Sequence, residues 1–339
     1  MKQRKEYIDV AKGLTIFLVV FTHAPMFLNT VSKEIQMIAR WVGAFHMPLF
    51  FFIYGVVQSK EFLFKEGKQG LLNFLNKRIR RLLIPYLIWA LFFGKLNLNS
   101  LPMILWGTNI SLGHAESYPV LWFFPTMFLA SILFQLYIEI FCLANKQKHL
   151  FTVVTIISCC FIVEIFKNHE IPWRHFGGID VAFTCVIFMI SGMYLKDFIE
   201  KIRTNKKRLV LVTTIIFVIT FYISKANGDD SVGGYIFVYA IYGKSYLIYL
   251  INGVAMCLGV LLLSVLLENI KILSYIGKNS LAIMALHCFV FEITTPIVLD
   301  IVKCNEVLGT LVNSILTIII CVPFIIFLKI YIPEALGRK

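Results

Sequence analysis

The sequence predicts an all-α, polytopic integral membrane protein with about ten transmembrane helices. Of its 339 residues, 59% are hydrophobic and only 15% are charged, which is too apolar for a soluble globular protein. Long apolar runs alternate with short charged loops and lack the period-two pattern of a transmembrane β-barrel. The predicted spans are residues 8–28, 41–58, 82–94, 120–144, 150–166, 179–195, 209–224, 246–267, 281–299 and 310–331.

Two segments depart from a simple span. The third span, 82–94, is short, and we expect a break in its helix around Pro85. The stretch from Tyr235 to Lys244 is apolar but is interrupted by Gly243, so an eleventh span and a re-entrant segment both remain open.

The basic residues predict the orientation. If the N-terminus is cytoplasmic, the inner loops and termini hold 24 of the 32 Lys and Arg residues and the outer loops hold 8, as the positive-inside rule requires. Both termini are then cytoplasmic. The net charge of +13 follows from this topology, and because the basic residues lie in short loops, no nucleic-acid partner is indicated.

Cysteine placement and the lack of repeats limit the other possibilities. All cysteines except Cys304 fall within or at the ends of spans, and no C-x-x-C pair exists. This pattern is typical of apolar packing rather than of a disulfide framework or a zinc site, so we expect no metal. No internal repeat and no long extramembrane stretch occurs, so residues 1–339 are expected to form a single membrane-embedded domain.

The first span carries two ionisable residues, Lys12 and His23. Such groups are costly inside a membrane and mark functional sites by default. On an α-helix, eleven steps of about 100° bring both side chains to within roughly 20° of one face, about 16 Å apart along the axis. Two structural alternatives remain open: the lysine can snorkel to the interface, and the histidine can bond to a neighbouring helix.

The second span contains His46, close to its predicted outer end. His23 lies at a similar depth on the first span, so we expect the two histidines to be neighbours. Pro48 lacks a backbone donor and predicts a bend in the second span. The alternative is that His46 is one polar residue in an aromatic membrane interface.

A basic cluster precedes the third span, in the sequence KRIRRLLIPY. It consists of Lys77, Arg78, Arg80 and Arg81, and the planar fork of arginine matches the oxygens of a phosphate group. This cluster predicts a site for a phosphorylated cofactor. Anchoring to anionic lipid is the alternative.

Other candidates lie near the ends of later spans. An aromatic ring beside polar groups suits carbohydrate recognition, although Trp and Tyr also mark membrane interfaces. Five such residues lie just before or within the outer ends of the fourth and sixth spans: His114, Glu116, Tyr118, Trp122 and Asp180. Toward the inside, Asn279 and Ser280 predict a helix start, where such residues act as caps, and His287 follows two turns later.

Together these motifs resemble acyltransferase family 3, the multi-span bacterial membrane O-acyltransferases of cell-surface sugars. The basic residue and histidine of the first span resemble its hallmark, and four further stretches resemble its later motifs in order: FHMPLFFFIYG, KRIRRLLIPY, LWFFP and IGKNSLAIMALH. Two residues depart from the pattern. Lysine stands at position 12, where arginine is usual although lysine occurs in polysaccharide-modifying members, and Tyr54 stands where serine is usual. We expect a stand-alone member without a fused extracytoplasmic domain.

The resemblance implies acetyl-CoA, or another short acyl-CoA, as donor and a sugar hydroxyl of a glycan or lipid-linked precursor as acceptor, in the bacterial cytoplasmic membrane. Lys12 then serves catalysis together with His23, which acts as general base or carries the acyl group itself. The residues expected at the donor are Lys77, Arg78, Arg81, Ser280 and His287, and those expected at the acceptor are His46, Glu116, Trp122 and Asp180.

An exporter of polysaccharide or lipid-linked sugar is the rival function, with His23 and Lys12 as gating groups. A proton-coupled carrier would predict inverted internal repeats, which the sequence lacks.

Overall fold

The structure, a computed structural model, describes residues 5–28, 32–58, 63, 67–93, 104, 119–169, 176–228, 235–302 and 305–337. These residues are mainly helical, and the described part contains no strand beyond one isolated bridge between Ile236 and Ile241, which confirms the predicted all-α fold. Its α-helices are α1 (Glu6–Leu28), α2 (Lys33–Gly43), α3 (Pro48–Val57), α4 (Gly67–Arg78), α5 (Ile84–Phe93), α6 (Phe123–Leu143), α7 (Lys148–Asn168), α8 (Ile179–Ile202), α9 (Lys206–Asn227), α10 (Tyr246–Leu266), α11 (Lys271–Lys278), α12 (Ser280–Ile301) and α13 (Glu306–Tyr331).

Nine stretches of the described chain are long and apolar enough to cross a membrane. They correspond to nine of the ten predicted spans and confirm a multi-pass membrane protein. α2 and α3 form one of these stretches, broken at residues 44–47 just before Pro48, where the sequence predicts a bend. Pro48 lacks a backbone N–H, and its ring crowds the preceding turn, so a regular helical turn cannot form there.

The remaining predicted span, the third at 82–94, corresponds to α5, which has only ten residues. α5 continues α4 through a π-helical turn at Ile79–Leu83. Pro85 is the second residue of α5, two positions after this turn, and a proline ring crowds the carbonyl four residues before it, here that of Arg81. The wider π turn gives that carbonyl more room, so the helix stays continuous through Pro85 and carries an irregular turn in place of the expected break.

The described stretch from Tyr235 to Lys244 does not form an eleventh span. Residues 235–245 contain a short 3₁₀ turn at Phe237–Tyr239, and the isolated bridge joins Ile236 before this turn to Ile241 after it. Gly243 has a φ of 77°, in the left-handed region that favours glycine, and a Cβ there would meet the backbone carbonyl of Asn227. The segment is therefore a compact connection that glycine makes possible.

The chain divides into two compact units, residues 1–56 with 191–326 and residues 57–190 with 327–339. In the first unit, α11 packs directly on the N-terminal half of α1. A Cβ at Gly13 would overlap the carbonyl of Leu273, and a Cβ at Gly277 would overlap the carbonyl of Asp9. The order of these contacts shows that α11 runs antiparallel to α1, and the two glycines allow the backbones to touch.

The next helix, α12, runs in the opposite direction to α11 and packs along α1. His287 lies beside His23 and Phe291 beside Phe27, with ring centroids 5.1 and 4.7 Å apart respectively. A shift of four residues on one helix matches a shift of four on the other, so α1 and α12 are parallel. Because α11 occupies the N-terminal half of α1, α12 begins beside the middle of that helix.

The second unit joins the end of the chain to α5. The Trp89 indole donates a hydrogen bond to the carbonyl of Ala335 at 2.9 Å, within the 3₁₀ turn Pro333–Leu336. Gly337 ends that turn with a φ of 62° and lies against the backbone of Arg81. The C-terminal turn is thereby fixed on the π-helical part of the α4–α5 helix.

Candidate functional site

Three histidine side chains are the candidate proton-transfer groups of the first unit. His23 lies five residues before the end of α1 and is half-buried. Its Nδ1 lies 2.8 Å from the carbonyl of Val19 in the preceding turn. A carbonyl oxygen can only accept, so Nδ1 carries the proton and Nε2 keeps its lone pair. His23 is thus presented in the tautomer that a general base requires.

His46 is held in the same way at the break between α2 and α3. Its Nδ1 donates to the carbonyl of Val42 at 3.0 Å, and its side chain is half-buried. It lies close enough to His23 for their charges to interact, in agreement with the expectation that the two histidines are neighbours.

His287 is the third histidine, and it is completely buried. Its Nδ1 lies 3.0 Å from the carbonyl of Ile283 and 2.8 Å from that of Met284, so it too is protonated on Nδ1. Its ring meets that of His23 at an angle of 61°. The sequence places His287 toward the cytoplasmic end and His23 toward the outer end, yet the structure sets them side by side, because α12 begins beside the middle of α1.

Lys12 is half-buried on α1, three turns before His23. The helix is continuous between them, so the two side chains share a face as predicted. Ser280 is the first residue of α12 and is partly exposed. Asn279 precedes α12 as predicted, but its side-chain amide donates back to the carbonyl of Tyr275 at 2.8 Å instead of capping the new helix.

The basic cluster of the second unit borders a cavity of about 820 Å³. Two of the predicted donor residues, Lys77 and Arg81, line it, and so does Arg80, which was absent from the predicted set of donor-binding residues. The other described lining residues are Asn73, Asn76, Ile84, Glu334 and Gly337. In the continuous helix formed by α4, the π-helical turn and α5, the lining residues recur every three or four positions and so lie on one face. That periodicity is the signal that could have identified Arg80.

Arg78 is absent from this lining and takes part in a partly buried network. Its guanidinium lies over the ring of Phe74, 5.0 Å from the centroid, and donates to Gln58 at 3.4 Å. Gln58 donates to Gln135 at 3.4 Å, and Gln135 donates to the carboxylate of Glu139 at 2.6 Å. Arg78 is therefore linked through Gln58 and Gln135 to a carboxylate in a span, and its role at the donor stays a prediction.

Glu139 was missed by the sequence reasoning. It is 2% exposed and also accepts a hydrogen bond from the backbone N–H of Leu63 at 2.9 Å. An ionisable residue within a long apolar run was the available signal.

The predicted acceptor residues in the second unit lie near the starts of α6 and α8. Trp122 and Asp180 are both buried, and the Asp180 carboxylate accepts a hydrogen bond from the N–H of Val181 at 3.0 Å. The two helix starts meet where Thr126 contacts the turn at Gly178. Glu116, with His114 and Tyr118, lies outside the described residues. In the described part of the chain, no three His, Cys, Asp or Glu residues are grouped so that they could hold a metal ion.

Comparison with known proteins identifies the family of the chain. A family model described as an acyltransferase domain, Acyl_transf_3, matches residues 5–330, nearly the whole chain. The chain belongs to this acyltransferase family. No curated protein and no solved structure matched the sequence. The membership confirms the predicted family, and the chain is a membrane O-acyltransferase.

For an acyltransferase, the geometry supplies two kinds of chemistry. The histidine group of the first unit offers imidazole rings whose Nδ1 atoms donate to backbone carbonyls, which leaves Nε2 as the atom able to accept a proton. The cavity of the second unit offers three cationic side chains with one carboxylate, a lining able to bind an anionic ligand.

Proposed function

We propose that this acyltransferase moves an acetyl group from acetyl-CoA to a sugar hydroxyl of a cell-surface glycan or of its lipid-linked precursor, with His23 as the general base. The observation that supports His23 most is its hydrogen bond to Val19, which leaves Nε2 as the basic atom. A sugar hydroxyl is a poor nucleophile until a base removes its proton. The half-buried position of His23 gives a substrate access to this atom.

The donor site proposed is the cavity lined by Lys77, Arg80 and Arg81. Coenzyme A carries several phosphate groups, and two arginine forks with a lysine suit them. Glu334 adds an acceptor for an amino or hydroxyl group of the nucleotide part. Arg78 supports this site indirectly, because its contacts with Phe74 and Gln58 fix the helix that carries the cavity-lining side chains.

The proposed location is the bacterial cytoplasmic membrane, with both termini in the cytoplasm. The positive-inside asymmetry supports this orientation. It places the basic cluster on the side where acetyl-CoA is made. His46, Trp122 and Asp180 remain the proposed acceptor contacts, and membrane lipid surrounds the spans.

The test is acetyl-CoA-dependent release of free thiol by the purified protein in detergent, combined with analysis of O-acetyl groups on the surface glycan of cells. We expect thiol release from the wild-type protein and its loss in His23→Ala. The matched control is His169→Ala, which removes an exposed histidine at the end of α7. Absence of thiol release by an intact wild-type protein, together with retained glycan acetylation in cells lacking it, would favour the exporter function instead.

A further inference from the structure

Glu139 is a buried carboxylate within the apolar helix α6, outside both the donor cavity and the histidine group. It lies four residues before the end of α6 at Leu143 and is 2% exposed. An ionised group in such a place is costly unless hydrogen bonds satisfy it. Its Oε1 accepts two of them, from the backbone N–H of Leu63 at 2.9 Å and from the amide of Gln135 at 2.6 Å. The carboxylate thus joins α6 to the chain between α3 and α4.

The hydrogen bonds that link Arg78 to Glu139 all run in one direction. The guanidinium of Arg78 donates to Oε1 of Gln58 at 3.4 Å. The amide of Gln58 donates to Oε1 of Gln135 at 3.4 Å, and the amide of Gln135 donates to the carboxylate. This hydrogen-bond chain therefore begins at a cation and ends at an anion, and both amide dipoles are aligned with the two charges. Hydrogen bonds to charged groups are about twice as strong as neutral ones, and bonds in a chain polarise one another.

The hydrogen-bond chain ends on the helix that carries the donor cavity. Arg78 is the last residue of α4, and the π-helical turn Ile79–Leu83 begins directly after it. That turn carries Arg80 and Arg81, which line the cavity. α6, the helix of Glu139, packs against the same turn. The hydrogen-bond chain thus fixes the helix directly before the two arginines of the cavity.

We propose that Glu139 is a positioning residue for the acyl donor; this rests on the proposed function. Its carboxylate holds Arg78 through the two glutamines, and the helix then presents Arg80 and Arg81 to the phosphate groups of acetyl-CoA. Side chains that are fixed before the ligand arrives lose less freedom on binding, so the preorganised site has the higher affinity. Glu139 does not line the cavity, so its effect on the donor passes through Arg78.

The experiment is a double-mutant cycle on the purified protein in detergent, with the dissociation constant for acetyl-CoA as the readout. Glu139→Gln keeps the size of the side chain but removes its charge, and Arg78→Ala removes the other end of the hydrogen-bond chain. We expect each variant to weaken binding about fivefold, the effect of losing one such hydrogen bond. The double variant should also lose about fivefold, because a chain already broken cannot be broken again, whereas independent effects would multiply to about 25-fold.

The rate at saturating acetyl-CoA separates positioning from a loss of structure. We expect kcat for thiol release to stay within about twofold of the wild type, because the hydrogen-bond chain acts on donor binding and not on the reacting atoms. Gln58→Met breaks the chain at a half-buried side chain and should reproduce the weaker binding even if Glu139→Gln does not fold. Thr152→Val is the matched control: it removes a buried hydrogen bond of α6, between Thr152 and Tyr137 at 2.8 Å, and should leave the dissociation constant unchanged.

Unchanged affinity for acetyl-CoA in Glu139→Gln and Gln58→Met, or multiplied losses in the double variant, would overturn the role of Glu139. Arg81→Ala distinguishes this outcome from a failure of the proposed function, because Arg81 lines the cavity directly. If only Arg81→Ala weakens binding, the donor site stands without Glu139. A folded wild-type protein that does not bind acetyl-CoA would refute both proposals.

Discussion

Substitution of His23 by alanine tests the proposed chemistry most directly. A positioned general base contributes about 10² to 10⁴ in rate, or roughly 3 to 5 kcal/mol of activation free energy, so His23→Ala should lower acetyl transfer by that factor. The expected effect on folding is small. Val19 keeps its place in the continuous backbone hydrogen-bond ladder of α1, and the lost side chain is only half-buried.

The assay is thiol release per mole of purified protein, measured at saturating acetyl-CoA, with the amount of protein in the membrane determined separately. Donor affinity should stay within about twofold of the wild type, because the proposed donor residues lie elsewhere in the chain. Accumulation of an acid-labile acetyl group on His23 without acceptor would indicate a covalent relay in place of general-base catalysis. Wild-type transfer by a well-expressed His23→Ala protein would refute both mechanisms.

Three further predictions concern the cavity, the helix contact and the topology. Arg81→Ala should weaken acetyl-CoA binding by about tenfold. The loss should exceed that in Arg78→Ala, because Arg81 lines the cavity whereas Arg78 contacts Phe74 and Gln58. Equal dissociation constants of the two variants in a binding titration would return the cluster to a lipid-anchoring role. Gly277→Val should lower the melting temperature and the transfer rate together, because the valine side chain would overlap the carbonyl of Asp9 and displace α11 from α1. An unchanged melting curve would contradict that packing. Topology reporters should read outside, inside and outside when fused at Asn29, Lys60 and Lys225, and an outside signal at the second position would overturn the orientation.

Much of the fold was predictable because it depends on local sequence. Each span is a continuous apolar run, and the membrane requires every backbone polar group to be satisfied within the helix, so composition and length identified nine spans that the structure contains. The break before Pro48 and the irregular turn near Pro85 were also predictable, because proline acts on its own turn. The placement of Lys12 and His23 on one face needed only the helix repeat.

The lining of the proposed donor cavity was predictable in part. Lys77 and Arg81 were identified from the cluster, but the division between Arg80, which lines the cavity, and Arg78, which does not, required the orientation of the helix. Glu334 reaches the cavity because Trp89 fixes the C-terminal turn on α5. These residues are about 250 positions apart in sequence, and no local pattern encodes such a contact.

The sequence by itself determined the membrane class, the spans and the shared face of Lys12 and His23, because each depends on composition or on spacing within one helix. The family followed from the resemblance of five motifs along the chain. Only the tertiary structure decided that His287 stands beside His23. The sequence assigned a depth to each histidine by counting from the membrane surface, which assumes that every helix begins there. α11 packs on the N-terminal half of α1 through Gly13 and Gly277, so α12 begins beside the middle of α1 and brings His287 level with His23. The contact of two backbones at glycine thus determines which imidazoles meet.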